Sequence, residues 1–513
     1  MRQARRGAIL LSALMLTALV ATLLSIGQIR AMNESSIAQR SAANQQAFAL
    51  AEAGLDAGIQ WVIEKSQNRL PECSQPTLPG NQVAQECQGG TTDDFTPDVA
   101  TPLSLPGVGD FTVTVDPGDE NGTDPSSATF TIRATGTTVG AFPSQRTVTV
   151  ALKRESFSKF LMYYKRYANN AVIYFSTNET MDGPVYTGGN LYLKGTPTFK
   201  STVEYVGAIQ CDACAPRYED SPPKRVEEVP LPDRLSDFPN LVQRASDDGL
   251  RLKHDTTVTM LGDKMKFAAD DDDVEIAVKG TRVELDDVPD GGQIQVKGIT
   301  VSRPAGQDAL VVDLTEPLLI VGDHEVIING GELHGKVTLA SHDDMTIKGN
   351  IVYACNPDSV NPDGTPVTDE DRQNDPDCDE GESLDLLGLV SRNNIAVDTA
   401  ALPNVGVPVA GGPGADIGLT IHGSVMALKT FYVKGGGSVP GDVRNDNLGY
   451  KGLLHLFGGL IQDRRGYVGW NINQPGADGF DKDYVYDIRL LRMTPPSFPT
   501  TGRYEFLYWD DTR

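Results

Sequence analysis

Positive charge is scarce in this chain: 44 Lys and Arg stand against 69 Asp and Glu, a formal charge of -25 with a pI near 4.6. Phosphate binding requires clustered Lys and Arg, so the acidic body is not expected to contact nucleic acid. Histidine is scarcer still, with only His254, His324, His334, His342, His422 and His455. No nucleophile elbow, HExxH pair or phosphate loop accompanies them. No catalytic residue is therefore assigned, and the chain is not expected to be an enzyme. Carboxylates like those of polysaccharide-cleaving β-helix enzymes cannot be singled out among so many acids. Proline is absent from residues 1–70, and that absence leaves room for one uninterrupted helix.

Cysteine is limited to six residues, an even number that suits disulfides in an exported chain. Six allow 15 connectivities, of which Cys73 with Cys87, Cys211 with Cys214, and Cys355 with Cys378 is the sequence-local choice. Cys211-Asp-Ala-Cys214 has the spacing of a redox pair, but no thioredoxin-like βαβ pattern surrounds it. A zinc knuckle would need a second close pair, which is missing.

What is present begins at the N-terminus. Residues 8–27 carry no charge, and at about 1.5 Å per residue they cross roughly 30 Å, one bilayer core. Arg2, Arg5 and Arg6 precede them, so the positive-inside bias holds the N-terminus in the cytoplasm and sends the body across. A secretory signal peptide has a similar leader. Past Gly27, however, Ile29, Met32, Ala43, Ala47, Phe48, Ala51, Leu55, Ile59 and Val62 recur mostly at three- or four-residue intervals, one face of a continuing helix.

Arg5-Arg6-Gly7, Ala8-Ile9-Leu10-Leu11-Ser12 and Ala51-Glu52-Ala53-Gly54-Leu55 together resemble the N-terminus of type IV pilins and pseudopilins, most closely the PilX-type minor pilins. The resemblance implies cleavage by a prepilin peptidase between Gly7 and Ala8, and packing of the apolar helix with other pilins or pseudopilins in a filament core. Major pilins carry Glu five residues past the cut, where this chain has Ser12. A buried Glu needs a partner, so a subunit without one suits a tip or initiating position. A plain single-span anchor with a stalk helix reads the same apolar pattern differently.

Residues 67–108 form a Pro/Gly/Gln-rich connection. Phe111-x-Val113-x-Val115, Phe130-x-Ile132-x-Ala134 and Val148-x-Val150-x-Leu152 then alternate with period two, predicting antiparallel strands against the helix and a first module over residues 28–155. From residue 156 a phrase recurs, apolar-x-Gly-x-apolar, centred on Gly183, Gly207, Gly335, Gly349, Gly423 and Gly458. Repeated glycine in short strands marks bends or close backbone approach and predicts an irregular β-solenoid body over residues 156–465. A sandwich of hairpins gives similar runs. Insertions are read at 215–245, Pro-rich and charged, and at 356–382, rich in Asp. Residues 466–513 gain aromatics and predict C-terminal cap strands pairing back onto the body.

Asp323-His324, His334 and Ser341-His342-Asp343-Asp344 are close enough in sequence to align on successive rungs, as a metal or acid/base cluster or as plain turns. No cofactor is required. Calcium is the ion the sequence suggests: Asn361, Asp363 and Glu370 sit at EF-hand-like offsets, with Ser359 where Asp is usual, and the tetrad Asp270–Asp273 must relieve its own repulsion. The whole predicts a mainly β protein with a long N-terminal helix, a single-pass protein of a bacterial inner membrane whose body lies in the periplasm or on a pilus. Its function reads as pilin-like structural subunit, with an anchored adhesin or binding protein as the alternative and an extracytoplasmic polysaccharide-active enzyme as a third class.

Overall fold

The computed structural model describes residues 2–67, 77–78, 82–83, 103–117, 129–167, 174–177, 179–232, 237–269, 274–361, 365–368, 372–373, 375, 378, 383–400, 417–434, 449–470 and 478–512. The chain is mainly β with one long N-terminal helix. It divides into two compact units, Met1–Lys153 with Tyr504–Arg513, and Arg154–Arg503.

In the first unit a single helix runs from Arg2 to Gln67, 66 residues or roughly 100 Å. No proline interrupts it, which is why the apolar span and the amphipathic stretch are one element. The period-two runs are strands: Gly109–Pro117, Thr129–Thr138 and Gln145–Ser156 pair antiparallel in sequence order. Their inward residues Val113, Val115, Ile132, Ala134, Val148 and Val150 bury against Leu50, Ala51, Leu55 and Val62 of the helix. Small residues let the backbones approach. A Cβ on Gly58 would lie 2.7 Å from Ile132, and one on Gly54 would lie 2.8 Å from Phe111.

Leu103–Leu105 precedes these three as the first strand, antiparallel to Gly109–Pro117, and the sheet gains a fifth strand that corrects the expectation for residues 466–513. Thr500–Thr512 lies beside Gln145–Ser156 at the sheet edge and does not cap the body. Tyr504 packs on Phe130, Trp509 meets Phe48, and Arg146 pairs with Asp511. Alternation of aromatics identifies a strand but does not name its partner. The other strand of that stretch, Asp478–Val485, pairs parallel with Tyr450–Arg465 in the second unit.

The second unit is built on a closed sheet in which parallel pairing dominates. One ladder runs without a break through 224–225, 203–205, 185–187, 162–164, 460–462, 424–427, 386–391, 336–341, 318–322 and 250–252. A second joins 256–258, 326–328, 345–347, 395–397 and 431–433. A third joins 260–262, 331–333, 351–353, 421, 456 and 484. Inward Leu, Ile and Val side chains from all three fill one continuous core.

The chain enters this stack in its middle, since Met162 pairs with Leu460. It climbs to residue 225, and resumes at the opposite end of the stack with Leu250–Leu252. The return segment crosses the outer face of the first ladder: Val229 and the helical residues Leu241 and Ala245 pack against Tyr163, Tyr186, Leu319, Val390 and Met426. Tyr163 and Tyr186 stack at 4.5 Å, and the Tyr163 hydroxyl donates to the Val229 carbonyl at 2.5 Å while Val229 N–H donates to the Tyr186 hydroxyl at 2.8 Å. The segment read as insertion 215–245 is thus partly a fixed strap with a helix, Asp237–Asp248, at its end. An antiparallel insert not foreseen in the sequence occupies the strands from Lys264–Ala269 to Ala309–Asp313. Cys211–Cys214 and Cys355–Cys378 are disulfides, as the sequence-local choice has them. Cys73 and Cys87 lie outside the described residues.

Candidate functional site

Parallel stacking brings together side chains that are far apart in sequence. In register, Thr420 faces His455, His422 faces Phe457, and His455 faces Asp483 on the next strand. Asp358 arrives from the segment that follows Cys355 at the end of strand Ile351–Tyr353. Among the described residues, Asp358, His422 and His455 are the one group of three His, Cys, Asp or Glu whose ligand atoms lie within 4.8 Å of one another.

Each of these three is fixed by its own local contacts. Ser359 N–H donates to Asp358 Oδ1 at 2.6 Å, which turns Oδ2 toward the histidines. That Oδ2 is in close contact with His455 Nε2 and lies 4.0 Å from His422 Nε2. On its far side His455 Nδ1 meets Asp483 Oδ2 at 2.7 Å. His422 Nδ1 accepts the Tyr353 backbone N–H at 3.1 Å, and the Tyr353 and Phe457 rings flank its imidazole at 5.3 and 5.4 Å. Its Nε2 is buried with no hydrogen-bond partner among the described residues.

The Asp358, His422 and His455 side chains are 1, 0 and 2% exposed, whereas Asp483 is 42% exposed. Burial pushes His455 down, but hydrogen bonds to Asp358 and Asp483 outweigh it and raise the imidazole to about 9. His455 is therefore a cation between two carboxylates at neutral pH. Burial lowers His422 to about 3, which keeps it neutral, and the Tyr353 contact places its proton on Nε2. Chemically, the arrangement offers two imidazoles and a carboxylate shielded from water, with a supporting carboxylate behind one of them.

Of the two readings of Asp323-His324, His334 and Ser341-His342-Asp343-Asp344, plain turns describe them; they do not converge as a cluster among the described residues. Asp323 takes Arg251 and Lys253, the latter at 3.1 Å. His342 lies against Arg392, whose Nη1 is 3.0 Å from Nδ1, and Asp343 and Asp344 accept from Asn393 and Asn394. His334 Nδ1 lies 3.3 Å from Asp385, and the His324 carbonyl accepts from Ser341. These are turn positions along the ladders, whose partners are side chains and backbone groups of neighbouring turns and, for Asp323, of the strand Leu250–Leu252.

Of the suggested calcium ligands, Asn361 bonds Thr365 and Asn356 within its own loop, while Asp363 and Glu370 lie outside the described residues, as does the tetrad Asp270–Asp273. The peptide between Gly7 and Ala8 lies within the long helix, and their side chains are outside the described residues.

Asp323 gives the second unit an acid-sensitive tie. Burial raises its carboxyl, but the Arg251 guanidinium and Lys253 ammonium prevail and hold it below the usual carboxylate range. A depressed folded value stabilises the fold above the ordinary carboxylate pKa, and that gain is lost as pH falls through the folded value. Asp323→Asn is expected to lower stability by about 1 kcal/mol near neutral pH. The two proteins should converge in acid when urea midpoints are followed against pH. A gap that stays constant down to pH 2 would remove Asp323 as the titrating group.

Sequence reasoning passed over His422 and His455, although each sits beside the recurring glycine phrase, at Ile421-His422-Gly423 and His455-Leu456-Phe457-Gly458. Two histidines in consecutive copies was the available signal. Residues 127–214 match a family model described as a domain of unknown function (DUF4900). That match runs from the third and fourth strands of the first unit's sheet into the first turns of the second unit's ladder. No curated protein and no solved structure matches the chain.

Proposed function

We propose that this chain is a membrane-anchored, pilin-like structural subunit, a minor or tip component of a type IV pilus or related filament, which displays a β-solenoid body outside the inner membrane. The observation that carries the reading is the contrast between the two ends of one helix. Toward the C-terminus, Ala47, Leu50, Ala51, Leu55 and Val62 are buried against the sheet. Toward the N-terminus, Leu14, Leu19, Leu23, Leu24 and Ile29 are all exposed by more than half, in a stretch of mean hydropathy 1.6.

So long an apolar surface needs lipid or sister helices around it. The length suits a membrane core, and the basic leader orients the body away from the cytoplasm. The stacked parallel ladders of the second unit, entered in the middle and closed by a strap, are read as the coils of the solenoid. Partners follow from the helix: other pilins or pseudopilins, with prepilin peptidase as the processing enzyme.

Mass spectrometry of the chain expressed in a host with active prepilin peptidase decides between this and an anchored adhesin. The expected mature N-terminus is Ala8, and Gly7→Val is expected to leave residues 1–7 in place. Retention of the leader on the unaltered chain favours the adhesin, and removal of the whole apolar span would discard both.

A further inference from the structure

We infer that Asp358, His422 and His455 bind a divalent transition ion of the zinc class, which fastens the disulfide-closed segment 355–378 to the parallel ladders. The ligand types select the ion. Two imidazoles and one carboxylate suit zinc and its neighbours, whereas calcium takes six to eight oxygens. The geometry is built for it from three directions, since Asp358 leaves the 351–353 strand while His422 and His455 stand on adjacent strands. His422 Nε2 is fully buried, has no hydrogen-bond partner among the described residues and lies 4.0 Å from Asp358 Oδ2. Asp483 on the second nitrogen of His455 is the outer carboxylate that orients metal-bound histidines elsewhere.

Asp358 Oδ2, His422 Nε2 and His455 Nε2 would hold the ion, which would take the place of the direct contact between Asp358 and His455, while Asp358 Oδ1 keeps its hydrogen bond from Ser359 N–H. The site rests on side chains of the second unit alone and is independent of how the helix is processed.

The test uses the full chain in detergent, stripped with EDTA and titrated with cobalt(II) chloride and then with zinc chloride. One equivalent of cobalt is expected to give the visible absorption of a four- or five-coordinate site, and one equivalent of zinc to abolish it, with calcium chloride having no effect. His422→Gln and Asp358→Asn are expected to weaken zinc binding at least tenfold, and His342→Gln to leave it unchanged. Absence of a cobalt band and of stoichiometric zinc on the unaltered chain overturns the inference without recourse to any variant. Zinc retained with full affinity by a folded His422→Gln chain overturns it too.

Discussion

Replacing Gly136 by alanine is expected to lift the long helix from its sheet. A Cβ at this position would lie 2.2 Å from the Ala47 carbonyl oxygen, 2.5 Å from the Ala51 nitrogen and 2.7 Å from Leu50 Cβ. Two of these are helix backbone atoms, which cannot turn aside as a side-chain tip can. Relief must come from moving one element bodily, and that opens the contacts of Leu50, Ala51 and Leu55 with Ile132, Ala134 and Val150. The cost is expected at or above the top of the usual overpacking range, about 3 kcal/mol. Gly27→Ala is the matched control: its Cβ meets nothing within 4 Å, and alanine in a helix interior is favoured by about 1 kcal/mol. Urea unfolding followed by tryptophan fluorescence reads the difference, because Trp509 meets Phe48 of the helix. A Gly136→Ala chain within about 0.5 kcal/mol of the unaltered protein, the scatter of neutral surface changes, would show that the helix does not sit this close.

The helix and its sheet were legible because each is governed by a local period. Spacings of three and four placed Ala47, Ala51 and Leu55 on one face, and spacings of two placed Val113, Ile132 and Val150 on another. Pairing between distant segments has no such local signature. Nothing in Tyr504-Glu-Phe506-Leu-Tyr508 states that it joins a sheet begun near residue 103, and nothing in 215–245 states that its end straps the outside of a ladder. The two disulfides were within reach because both close short loops, of separation 3 and 23. The candidate metal site was not, because Asp358 and His455 are 97 residues apart and meet only through the stacking of intervening turns. Asp358 was further hidden in an acidic run of seven aspartates with no local spacing to set one apart, and its own burial comes from contacts made elsewhere in the chain.

The recurring glycine phrase was legible as a pattern, yet its copies are not equivalent, and the largest effect in the second unit is expected where two of them stack. Gly423 and Gly458 face each other in register, with φ of +138° and +145°. A Cβ on Gly458 would lie 2.1 Å from the Gly423 carbonyl oxygen and 2.7 Å from its carbon, backbone that is itself held in the ladder. Gly458→Ala thus combines a backbone conformation that costs an L-residue about 1–3 kcal/mol with a clash of about the same size. At Gly335 the same phrase has φ of +129°, but the nearest atom to a new Cβ is 3.8 Å away, so only the conformational cost applies. Gly458→Ala is expected to lower the urea midpoint at least twice as far as Gly335→Ala. It should also disturb the site, since His422 adjoins Gly423 and His455 lies three residues before Gly458. Equal midpoints for the two variants would mean that glycine is needed at these turns for its dihedral freedom alone, and that the close approach of the strands carrying His422 and His455 is not what holds the stack together.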